Sequence, residues 1–158
     1  MIRSILRLGD GALYAVSEAV AREEVPALLD TVQDLQDTLL DFRAKHSAGR
    51  AIAAPQIGVR KRLIYVFIDK PVVLFNPSLC FPDDEMMAVL DDCMSFPHLL
   101  VRVRRNRRCN VTYLDENWQT HTWELEGDLS ELIQHEYDHL DGILATMRAV
   151  DNKAFIAR

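Results

Sequence analysis

The stretch QHEYDHLDG, residues 134–142, places two histidines four positions apart and a glutamate directly after the first. Around it, Leu129, Leu132, Ile133, Leu140 and Ile143 recur at helical spacing, Asp128 followed by Glu131 resembles a capping box, and Gly142 is a natural C-terminal stop. The stretch is therefore expected on a helix. Residues four apart lie one turn above each other, so His135 and His139 can direct both imidazoles at one ion, with Glu136 beside them. The apolar flanks predict burial, and buried histidines and glutamates are costly unless bonded or ligated. A catalytic metal normally takes three protein ligands and leaves one position for water. After His139 there is no further histidine, glutamate or cysteine, only Asp141 and Asp151, so the third ligand is expected upstream. Cys93, in LDDCMSFP between an apolar run and a proline, is the candidate, because a thiolate suits zinc or ferrous iron.

The whole chain sets the frame. Its 158 residues, 49% of them apolar, suffice for one domain spanning 1–158 with a real core. A formal charge of −6 argues against nucleic acid as a specific partner. No apolar run reaches a membrane span and the N-terminus lacks a signal-peptide pattern, so the expected compartment is the cytoplasm. Three cysteines cannot all pair; with Cys93 set aside, Cys80 and Cys109 read as small buried core residues.

Residues 26–46, PALLDTVQDLQDTLLDFRAKH, carry Leu28, Val32, Leu35, Leu39 and Phe42 on one stripe and read as an amphipathic helix with Pro26 in its first turn. SAGRAIAAPQIG, residues 47–58, reads as an ordered loop. Six β-prone runs follow, LIYVFI, VVLF, MMAVL, LLVRV, CNVTYL and HTWELE, the last two joined by a turn at Asp115, Glu116 and Asn117. The class is α+β. RVRRNRR, residues 102–108, stands near Asp83, Asp84, Glu85, Asp91 and Asp92 and reads as a locally neutralised strand surface rather than an RNA contact.

Three motifs in order carry a resemblance to the peptide deformylases, metalloenzymes that remove the N-formyl group from newly made proteins. GRAIAAPQIG, residues 49–58, is similar to the family's GxGLAAPQ; DDCMS, residues 91–95, to EGCLS; and QHEYDHLDG contains HExxH. The opening IRSILRLGD also resembles family N-termini. The resemblance implies mixed or antiparallel sheets around the HExxH helix. It implies Cys93, His135 and His139 as metal ligands, Glu136 as the proton carrier, and Gln56 with the Met94 backbone N–H as oxyanion donors. Iron(II) is the implied metal, and zinc, nickel and cobalt accept the same ligands. The implied partners are an N-formylated peptide and, transiently, the ribosome, without membrane or specific nucleic acid. Two other readings stand beside this one, an HExxH protease and a homologue with altered substrate or lost activity.

The resemblance implies substrate contacts at Arg50, Ala51 and Asp92, and the departures from the family pattern, Ala51 and Asp91-Asp92, fall at or beside them. Alanine at 51 in place of glycine is tolerated only if that backbone has negative φ. Asp92 in place of glycine adds a carboxylate beside the cleft, either facing substrate or paired with an arginine such as Arg102 or Arg104. Asp91, shorter than the family's glutamate, is expected to pair with Arg105.

Overall fold

The computed structural model describes all residues 1–158. Two antiparallel sheets enclose a central helix. The first sheet has the order β1-β2-β3-β6-β7, from Ala51–Ala53, Leu63–Phe67, Pro71–Cys80, Arg108–Leu114 and Thr120–Glu126. The second has the order β4-β5-β8, from Met86–Asp91, Leu99–Asn106 and Phe155–Ala157. Helix α1 spans Val25–His46 and α2 spans Asp128–Leu140. The α+β class and the antiparallel pairing agree with expectation.

Helix α1 buries Leu35, Leu39 and Phe42 from the predicted stripe, while Leu28 and Val32 are partly covered; together they pack on one face of the first sheet against Leu63, Tyr65 and Phe75. On that sheet's other face, Ile64, Leu74 and Val111 meet Leu132, Ile133 and Leu140 of α2. Strand alternation explains the division, since Leu63 and Tyr65 face one way and Ile64 and Val66 the other. The second sheet covers the remaining flank of α2 with Val101 and Val103, which pack on Cys93, Phe96 and Leu144. Burying any one of these large side chains contributes about 1.5–3 kcal/mol. Helix α2 is thus covered on nearly every side, and only Asp128, Leu129 and Tyr137 escape burial.

Several expectations need correction. Residues 47–58 do not form a plain loop: Ala51–Ala53 pair with β2 and Ala54–Ile57 make a 3-10 turn begun by Pro55. The small side chains that suggested a loop are what allow a fully buried strand here. The Asp128 and Glu131 capping box is absent, because Gly127 at φ 63° is the N-cap and α2 starts one residue earlier than that box requires. Cys80 is exposed, unlike the buried Cys109. The register shift between Phe75 and Ser78 ends the fully buried stretch of β3, beyond which Leu79 is only partly buried against the core and Cys80 is exposed.

At the far end of α2, Gly142 has φ 71°, and a Cβ there would lie 2.4 Å from the Tyr14 carbonyl oxygen. Backbone strain and collision act together, so Gly142→Ala is expected to destabilise by about 2 kcal/mol or more. Urea unfolding checks this; an unchanged midpoint would contradict it.

Candidate active site

His135 and His139 project from the same face of α2, with ring centroids 5.0 Å apart and planes at 74°. Cys93 comes from the turn after β4, closed by the Phe96 N–H donating to the Cys93 carbonyl at 3.0 Å. The one ligand atom that each residue offers lies within 4.8 Å of the other two, and all three residues are buried.

Two observations test whether a metal fits. Cys93 Sγ and His139 Nε2 are 3.4 Å apart. A tetrahedral centre with ordinary metal–sulfur and metal–nitrogen lengths has an S···N edge of about 3.5 Å. Glu136 Oε2, beside the three ligand residues, is also buried and left without a hydrogen bond in the protein. Such an orphan is costly unless something else engages the site. The donor set fits a divalent ion.

Beneath the histidines lies a buried charge network. His135 Nδ1 is 2.8 Å from Asp91 Oδ1, an ion-pair separation off the hydrogen-bonding direction. Asp91 Oδ2 accepts from Arg105 Nη2 at 2.8 Å, and Arg105 Nη1 donates to Asp138 Oδ2 at 2.6 Å. Arg148 holds Asp138 from the other side, Nε to Oδ2 at 2.6 Å and Nη2 to Oδ1 at 2.9 Å. The pair expected between Asp91 and Arg105 is present because alternation along β5 turns Val101, Val103 and Arg105 inward and Arg102 and Arg104 outward. Removing the buried Arg105 guanidinium deprives buried Asp91 of its arginine and leaves Asp138 to Arg148 alone. Arg105→Met is expected to cost about 3–5 kcal/mol, read by chemical unfolding; a loss below about 1 kcal/mol would contradict the network's role.

The same network sets proton affinities. Burial opposes charge on His135, but Asp91 and the Cys93 sulfur outweigh it and hold its pKa well above the usual histidine value. Burial drives His139 well below that value. Burial likewise pushes the Glu136 carboxyl up to about 7. A histidine must shed its ring proton to ligate, so metal uptake at pH 7 is expected to release protons. The apparent enthalpy of zinc binding should then depend on the buffer's ionisation enthalpy; no dependence would contradict the assignment.

Gln56 is buried and its orientation is fixed. Oε1 accepts from the Ala53 N–H at 3.0 Å, which turns Nε2 toward Ser95 Oγ at 3.2 Å and Cys93 Sγ at 3.6 Å. The Met94 backbone N–H donates to no protein atom. The N-terminal segment braces both donors: the Leu6 N–H bonds the Gln56 carbonyl, the Leu8 N–H bonds the Ser95 carbonyl, and Arg7 Nη1 bonds the Met94 carbonyl at 3.1 Å.

A cleft of about 280 Å³ opens beside Cys93, His135 and Glu136. Arg50, Ala51 and Asp92 all line it. Ala51 sits in β1, outside the positive-φ residues, so its methyl group does not distort the backbone. Asp92 pairs with Arg158 Nη1 at 3.4 Å rather than with Arg102 or Arg104, which face away. Arg158 and Arg7 carry no local sequence signal, since only the fold brings them to the site. Glu131 does carry one: it precedes His135 by one helical turn and so shares its face.

The sequence matches the polypeptide deformylase family over residues 2–155. It is 38% identical over 150 residues to a peptide deformylase of Treponema pallidum, covering 92% of this chain and 86% of that protein. The fold superimposes on the crystal structure of a peptide deformylase from Legionella pneumophila with TM-score 0.86 and 31% identity, covering 98% of this chain and 89% of the other. A Synechococcus elongatus peptide deformylase in complex with actinonin gives TM-score 0.85 at 30% identity, covering 95% and 80%. With sequence and fold matched almost from end to end, this chain belongs to the polypeptide deformylase family.

Proposed function

We propose that this protein is a metal-dependent hydrolase, one catalytic unit over residues 1–158, that removes the N-formyl group from the amino terminus of newly made polypeptides. The convergence of buried Cys93, His135 and His139 beside Glu136, at the wall of an open cleft, carries this reading. A divalent ion held by those three residues would supply the Lewis acidity that makes water a nucleophile near neutral pH. Iron(II) is the proposed ion, and zinc, nickel or cobalt fit the same donors.

The remaining steps belong to side chains. Glu136 accepts a proton from the attacking water as its oxygen bonds the formyl carbon. Negative charge then grows on the formyl oxygen, where the free Met94 N–H is a ready donor. Gln56 supplies a second donor by exchanging its long bond to Cys93 Sγ, the weaker of its two, for that oxygen. When the C–N bond breaks, Glu136 returns the proton to the leaving nitrogen, giving formate and a free amine. The Synechococcus relative was solved in complex with actinonin, and the open cleft beside Cys93 and Glu136 offers this protein a place for a ligand of its own. No helix is long and apolar enough to cross a membrane, which is compatible with action on emerging chains in the cytoplasm, in transient contact with the ribosome.

The test is formate release from a panel of formyl-peptides by protein loaded with iron(II) under anaerobic conditions, with blocked internal peptides as controls. Formate with intact internal bonds is expected. Cleavage of internal bonds without formate would favour a protease.

A further inference from the structure

A second cleft, of about 380 Å³, lies on the other side of α2 from the metal-ligand triad. Leu132, His135 and Glu136 line the first cleft, whereas Gln134, Tyr137, Asp138 and Asp141 line the second, so helical periodicity sends the two sets to different faces. The two clefts share no residue. The opposite walls come from β5 and from the 3-10 turn Ala145–Arg148. An antiparallel bridge between Val103 and Ala149 brings that turn against β5, and with it Arg148 beside Arg104.

Three arginines, Arg104, Arg105 and Arg148, stand against two aspartates in this lining. Both acids are already engaged, Asp138 by Arg105 and Arg148, and Asp141 by Arg62 at 2.9 Å. Arg104 has no acceptor in the protein, and Arg148 uses Nε and Nη2 but not Nη1. The apolar part of the lining includes Phe81 and Met86, both exposed although large and hydrophobic. One side of the cleft thus lacks an anion and another lacks an apolar cover.

We propose that this second cleft binds a small organic acid, a single carboxylate joined to an aromatic or branched aliphatic body. The carboxylate accepts a fork of two N–H groups from Arg104 and a further bond from Arg148 Nη1, while the body covers Phe81 and Met86. A neutral ligand leaves Arg104 without a counter-charge, a cation meets the three arginines, and a second carboxylate meets Asp138 and Asp141. The volume falls within the roughly 300–1,000 Å³ of small-ligand clefts, and walls from three elements make a concavity rather than a flat docking face. The site stands apart from the metal cleft and does not depend on the reaction there.

The probe is 4-phenylbutyrate, titrated into the zinc-loaded protein while backbone amide shifts are followed by NMR, with 4-phenylbutanol and 4-phenylbutylamine as controls. Saturable shifts are expected at Asn106, Tyr137 and Arg148, and not at Ala51 or Asp92 beside the metal. The alcohol and the amine are expected to bind about tenfold more weakly or worse. Arg104→Gln, an exposed position outside the metal site, should weaken the acid by a similar factor and leave the alcohol unchanged. Shifts confined to the metal cleft, no saturable shift at all, equal binding of acid and alcohol, or parental affinity for the acid in Arg104→Gln would each overturn the proposal.

Discussion

Glu136→Gln is expected to keep its metal and to lose kcat/KM for formate release by about 10²- to 10⁴-fold. The substitution preserves volume and polarity on a helix that is covered on nearly every side, so the ligand residues one position before and three after should stay in place. What disappears is the ability to take a proton from water and return it to the amine. The carboxyl is suited to that exchange, because burial pushes it up to about 7 and one of its oxygens has no partner in the protein. Metal analysis of the purified variant alongside its kinetics separates the two effects. Lost metal would make Glu136 a structural residue, and near-parental turnover would remove it from the proton-transfer role.

Cys93→Ala is expected to weaken metal binding by more than about a hundredfold, beyond the loss typical of a residue that merely orients a ligand. Its sulfur is the only ligand candidate outside α2 in this triad, and two imidazoles on one helix form an incomplete site. Cys109→Ala is the matched control, since that thiol is also buried but packs in the core and donates only to the Ser130 carbonyl. The control should retain metal while losing some stability to the cavity. Equal metal affinity in the two variants would contradict the ligand assignment.

The legible parts of this protein are those where local periodicity and chemistry agree. Helix α2 was readable because leucine and isoleucine spacing coincides with the spacing two ligands need on one face. Cys93 followed from the lack of any downstream ligand, and the inward Arg105 from alternation with Val101 and Val103. Glu131 was misread because its distance from Asp128 mimics a cap, whereas Gly127 begins the helix and frees the carboxylate for the cleft. Residues 51–53 lack the bulky β-branched pattern of a strand, and their pairing with β2 is a tertiary contact. Arg7 and Arg158 reach the site from opposite ends of the chain, a separation no local pattern spans.

Formate release measured against metal content per chain is the most direct test of the whole assignment. Titrating iron(II) or zinc into metal-free protein should raise the rate in proportion and saturate at about one ion per chain. Cys93→Ala should stay at background over the same range. Formate from the metal-free protein, or parental rates from Cys93→Ala under the same titration, would contradict a metal-dependent deformylase centred on Cys93, His135 and His139.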